Sequence, residues 1–76
     1  MPDLDWRPYD SRGTTSRVRE IVTRGKVEFE LCCEGGQDVI RRTDRTGKRE
    51  VVSEVGRSLT HRETLELWSQ VVTGER

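Results

Sequence analysis

Residues 27–55 read VEFELCCEGGQDVIRRTDRTGKREVVSEV, and the fold follows from how this run divides. Val27, Phe29, Leu31 and Cys33 alternate with Glu28, Glu30, Cys32 and Glu34, the period of two that marks a strand with one buried face. Two further strand-like runs, DVIRRT and EVVSEV, follow across Glu34-Gly35-Gly36-Gln37 and Asp44-Arg45-Thr46-Gly47-Lys48. A two-residue Gly-Gly turn pairs Glu34 with Gln37, sets Leu31 opposite Ile40 and brings Glu30 to Arg41. A three-residue hairpin loop at the second turn sets Ile40 opposite Val52 and Arg42 opposite Glu50. Leu31, Ile40 and Val52 then form one apolar row, flanked by charge pairs of matching sign.

Outward from this meander, the 76 residues suffice for one small domain near the lower limit for folding without a staple. Hydrophobic residues make up 30% and charged residues 37% of the chain, so the expected core is thin and association with a copy or a partner would support it. Pooled Leu, Ile, Val and Phe still exceed about a fifth of the chain, which argues against wholesale disorder. Formal net charge is +0, which removes the bulk electrostatic argument for nucleic acid. There is no apolar run of the roughly 18 residues that span a bilayer. Met1-Pro2-Asp3-Leu4-Asp5 lacks the basic start and apolar segment of a signal peptide, so the expected location is cytoplasmic.

Residues 1–16, MPDLDWRPYDSRGTTS, show no periodicity and read as a flexible N-terminal arm; residues 17–76 read as the domain. Trp6 and Tyr9 are aromatics of the kind that often serve as anchors: Trp6 folds back over the open face of the sheet, the arm binds a partner, or it is plainly disordered. Val18, Ile21 and Val22 within RVREIVTR fit a helix, but the β-branched content and the Gly25-Lys26 turn favour a charged edge strand. Past Gly56, Thr60 and Glu63 form a capping box, and Leu65, Trp68 and Val72 recur at helical spacing, widened by Leu67 and Val71. Gly74 stands where a helix-terminating glycine belongs. Trp68 is expected to pack across Phe29, Leu31, Ile40 and Val52.

Reactive groups are sparse. Cys32 and Cys33 are adjacent on a strand and point to opposite faces, so they cannot share a metal; Cys33 is expected in the core and Cys32 half-exposed. A single histidine, His61, gives no zinc spacing and reads as surface decoration. No phosphate loop, nucleotide fingerprint or serine elbow is present, and the carboxylates of the meander pair with arginines in the manner of a solvated sheet face. No catalytic group, cofactor or metal is expected.

The segment ELCCEGGQDVIRRTDRTGKREVV followed by LTHRETLELWSQVVTGE is similar to short uncharacterised proteins of GC-rich actinobacteria, through Ile40-Arg41-Arg42-Thr43, the Val51-Val52 strand and the Leu67-Trp68 helix. The likeness spans roughly residues 30–75 and implies a genuine domain without attaching an activity. The expectation is an α+β fold: an antiparallel meander of three or four strands with one C-terminal helix on one face. The expected function is a small non-enzymatic interaction or regulatory protein, acting on a protein partner or as a homodimer through an exposed apolar patch at Trp6, Tyr9, Val39, Val51 and Val55. The alternative is a nucleic-acid-binding module that presents a basic face at Arg41, Arg45, Lys48 and Arg49.

Overall fold

The computed structural model describes residues 6–9, 16–57 and 59–74, so most of the arm expected over residues 1–16 lies outside the described residues. Five strands and one helix follow in order: β1 (Arg7–Pro8), β2 (Ser16–Arg24), β3 (Val27–Glu34), β4 (Gln37–Asp44), β5 (Val51–Val55) and α1 (His61–Thr73). The sheet order is β1-β5-β4-β3-β2, and every neighbouring pair is antiparallel. This is the expected α+β meander with one more strand. Arg7 and Pro8 pair with Glu54 and Ser53, and the Tyr9 N–H donates to the Val52 carbonyl at 3.1 Å. Proline is tolerated there because it sits on an edge strand, where a missing N–H costs no ladder bond.

RVREIVTR is strand, as its β-branched content indicates, and β3–β4 has the expected register, with Leu31 opposite Ile40 and Glu30 opposite Arg41. Gly35 and Gly36 adopt φ of 57° and 82°, the left-handed pair that a tight two-residue hairpin turn demands. The β4–β5 register differs from expectation: Ile40 faces Val55, Arg42 faces Ser53 and Thr43 faces Val52. The cause lies in the loop. Asp44 Oδ1 accepts from the Thr46 N–H at 2.9 Å and from its hydroxyl at 2.6 Å, while Arg45 Nε donates to Glu50 Oε2 at 2.8 Å across the loop mouth. Glu50 thus belongs to the loop rather than to the ladder. The three-residue displacement is odd, so it inverts the strand: Val55, not Val52, lies under the helix.

The capping box forms as expected, with Glu63 N–H donating to Thr60 Oγ1 and Thr60 N–H donating to Glu63 Oε1. Gly74 closes the helix in the left-handed conformation. The buried stripe is Thr64, Trp68 and Val71, with Leu67 at its border; Leu65 and Val72, expected inward, are exposed. Thr64 can be buried because its hydroxyl donates to the Thr60 carbonyl at 3.1 Å or to the Gly56 carbonyl at 3.3 Å, while its methyl lies close beside Gly56. Trp68 and Val71 meet Phe29, Leu31 and Ile40 in the core, bordered by Trp6, Val22, Val27 and Val55. Trp6 lies on the helix side of the sheet with its ring 6.2 Å from that of Phe29 and the Arg42 guanidinium 4.5 Å above it. No basic residue occupies the last turn of the helix; instead Arg24 of β2 donates to the Val72 carbonyl at 3.0 Å, placing a cation at the negative end of the dipole.

Candidate functional site

On the face away from the helix, strand alternation places Tyr9, Glu30, Cys32, Glu34, Val39, Arg41, Thr43 and Glu54 together. Its charged composition suggests a solvated face, yet Glu30, Cys32, Glu34, Val39, Thr43 and Glu54 are all buried. Glu34 Oε2 accepts from the Tyr9 hydroxyl at 2.5 Å, and its Oε1 accepts from Arg57 Nη2 at 2.8 Å. Arg57 also grips Glu54, through Nε at 2.6 Å and Nη2 at 3.0 Å. Arg41 Nε donates to Glu30 Oε1 at 2.8 Å, and the Arg41 guanidinium lies 5.2 Å from the Tyr9 ring centroid. The Glu34 side chain is fully buried, and those of Glu54 and Arg57 are nearly so.

Burial alone would raise the Glu34 carboxyl, but the hydrogen bonds from Tyr9 and Arg57 outweigh it and hold it below the usual carboxylate range. The Glu30 hydrogen bond raises Arg41, against burial, and the Glu54 hydrogen bond does the same for Arg57. Burial raises Tyr9 and Cys32. A buried thiol displaced in that direction is a poor nucleophile. These contacts pair each buried charge with an opposite one, and the network ties β1, β3, β4 and β5 together. Among the described residues no group of three or more His, Cys, Asp or Glu side chains is placed to hold a metal ion. Cys32 and Cys33 are free thiols in the reverse of the expected arrangement: Cys32 is buried within this polar layer and Cys33 is the half-exposed one. His61 is exposed, as expected, but its Nδ1 engages the buried Asp38 carboxylate at the start of β4.

The expected apolar patch does not assemble. Tyr9 and Val39 lie on the polar-network face and Trp6, Val51 and Val55 on the helix face; Val39 is fully buried, Val55 and Trp6 border the core, and Val51 alone of the five is well exposed. The expected basic face is divided too. Arg41 sits inside the ion-pair network and Arg45 is held by Glu50, while Lys48 and Arg49 lie in the β4–β5 loop.

What is open is the outer edge of β2. Among the described residues no strand pairs with that side of its nine-residue run. A bulge at Arg19 breaks the ladder: Val18 faces Cys32 and Glu20 faces Leu31, with Arg19 between them. The extra residue brings Val18 and Ile21, three apart in sequence, onto the same face. Both are exposed, at 40% and 55%. The Arg19 guanidinium reaches toward Asp38 on the helix face at 3.8 Å. Nothing in SRVREIVTR marks the bulge, since neither glycine nor proline is present, and so the shared apolar edge is not visible in the pattern.

No helix among the described residues is long and apolar enough to cross a membrane. No protein-family model, no curated protein and no solved structure matches the chain.

Proposed function

We propose that this chain is a small non-enzymatic interaction protein of the cytoplasm whose protein partner docks by adding a strand along the outer edge of β2. The observation that carries this reading is the edge itself: nine residues long, without a neighbour among the described residues, and bearing Val18 and Ile21 exposed on one face. Strand addition obtains affinity from main-chain hydrogen bonds and specificity from alternate side chains, and this edge offers both. Four charged residues on β2, Arg17, Arg19, Glu20 and Arg24, restrict which partner can add, in the way edge charges ordinarily guard a sheet. The polar network behind the edge supports the same reading, because its carboxylates and guanidinium groups are committed to one another and serve to hold a rigid platform.

The test is affinity capture with the wild-type chain and with Ile21→Lys as baits, followed by titration of each bait with the purified captured protein. The reading expects a protein bound by the wild type and lost with Ile21→Lys. Equal capture by both baits, or tight duplex binding in place of any protein, would overturn it.

A further inference from the structure

We infer that the occupant of the β2 edge is a second copy of this chain, added antiparallel about a two-fold axis through the bulge; this rests on the reading of β2 as the docking edge.

A two-fold axis normal to a sheet reverses the strand direction and keeps the faces, so each residue must oppose one from its own face. In an unbulged strand that condition pairs residues of like parity. The bulge at Arg19 changes it. Ser16, Val18, Ile21 and Thr23 lie on the polar-network face, and Arg17, Glu20 and Val22 on the helix face, as their partners in β3 require. Arg19 belongs with the helix face, where it meets Asp38. One register satisfies every position: Val18 opposite Ile21 of the copy, Arg17 opposite Val22, Ser16 opposite Thr23, and Arg19 opposite Glu20. Shifting it by one or two residues sets side chains of opposite faces against each other somewhere along the run.

The chemistry agrees with the geometry. Val18 and Ile21 from each copy form a row of four apolar side chains, which covers the two exposed hydrophobics of the edge. Arg19 and Glu20 make an opposite-charge pair twice, once on each side of the axis. The main chain agrees as well. Counting from the two-residue turn at Gly25-Lys26, ladder alternation directs the Arg24 and Val22 backbone groups toward β3 and those of Thr23 and Ile21 outward. Past the bulge the outward pair is Val18 and Ser16. The register therefore joins outward residues to outward residues, producing one continuous sheet with β2 and its copy at the centre.

Sedimentation of the full chain decides the matter. The wild type should run at twice its 8.8 kDa mass at about 100 μM and approach the monomer mass on dilution. Ile21→Lys should weaken the dimer by about 100-fold or more while leaving the circular-dichroism spectrum in place, and its thermal midpoint should match that of the wild type diluted to monomer. Arg19→Glu and Glu20→Arg should each weaken it by about 10-fold, because each creates two like-charge pairs, and the double variant should return to within about threefold of the wild type. A folded Ile21→Lys protein that remains dimeric, or a double variant no better than the singles, overturns the inference. A wild-type monomer overturns it as well. If that monomer still binds a different protein in an Ile21-dependent way, the docking edge stands and only the second copy falls; if it binds none, both fall.

Discussion

Arg57, beyond the end of β5, donates to the fully buried Glu34 carboxylate at the end of β3 at 2.8 Å, and the same guanidinium holds Glu54. The pair closes one end of the sheet from the side opposite the helix. Truncating Arg57 leaves an uncompensated buried charge, which costs more than the pair itself contributes. Arg57→Ala should therefore lower stability by about 3 kcal/mol, a large share of what so small a domain has. Urea unfolding measures this, and a midpoint within error of the wild type would show the network to be dispensable.

Acid should act through the same carboxylate. Glu34 is held below its ordinary value by Tyr9 and Arg57 against the effect of burial, so its folded pKa is lower than its unfolded one. Its contribution is complete above the ordinary carboxylate range and is lost as pH falls through the folded value. The urea midpoint of the wild type should fall steeply below pH about 4, and that of Glu34→Gln, lower at neutral pH, should fall less. Parallel acid limbs for the two proteins would assign the loss to other groups. Tyr9 acts at the opposite extreme: burial and the Glu34 hydrogen bond raise its pKa, so the neutral phenol's contribution is lost as pH climbs through the raised value.

The two thiols should separate by rate. Cys33 is half-exposed, whereas Cys32 is buried with its pKa raised by that burial. A thiol reagent should label Cys33 in the native protein and Cys32 only as the sheet opens, with the slow phase accelerated by urea. Mass mapping that found Cys32 labelled first would contradict the face assignment of β3.

Much of this was legible locally. The Gly35-Gly36 turn, the capping box of Thr60 and Glu63 and the terminal Gly74 are each set by a few adjacent residues, and the structure has all three. The β4–β5 register was not, because Glu50 could pair with Arg42 in the ladder or with Arg45 across the loop, and the Asp44–Thr46 contacts settle for the second. The cysteines were reversed for a related reason. Alternation suggests one apolar and one wet face, but Glu34 is buried by Arg57, 23 positions away, and no periodicity reports so distant a partner. The shared face of Val18 and Ile21 depends on a bulge at Arg19, with no sequence signal of its own.

Nucleic acid should be bound only weakly. With Arg41 paired to Glu30 and Arg45 to Glu50, the loop offers Lys48 and Arg49 as its remaining cations from the expected basic face. Two phosphate contacts give a log–log salt slope near −2, far from the six to ten contacts at which affinity becomes strongly salt-dependent. Titration of labelled duplex at physiological ionic strength should show no sub-micromolar binding. Tight binding abolished by replacing Arg45, Lys48 and Arg49 with alanine would reverse the ranking of the two functions.

The central claim, that the outer edge of β2 is the working surface, is tested most directly by amide hydrogen exchange along that strand. The N–H groups of Val22 and Arg24 face β3 and should stay protected in the free chain, while those of Ile21 and Thr23 face outward and should exchange fast. As the chain is concentrated, or as a captured partner is added, Ile21 and Thr23 should become protected in alternation with residues that were protected already. Exchange at Ile21 and Thr23 that stays equally fast at every concentration and with every bound protein would contradict the account.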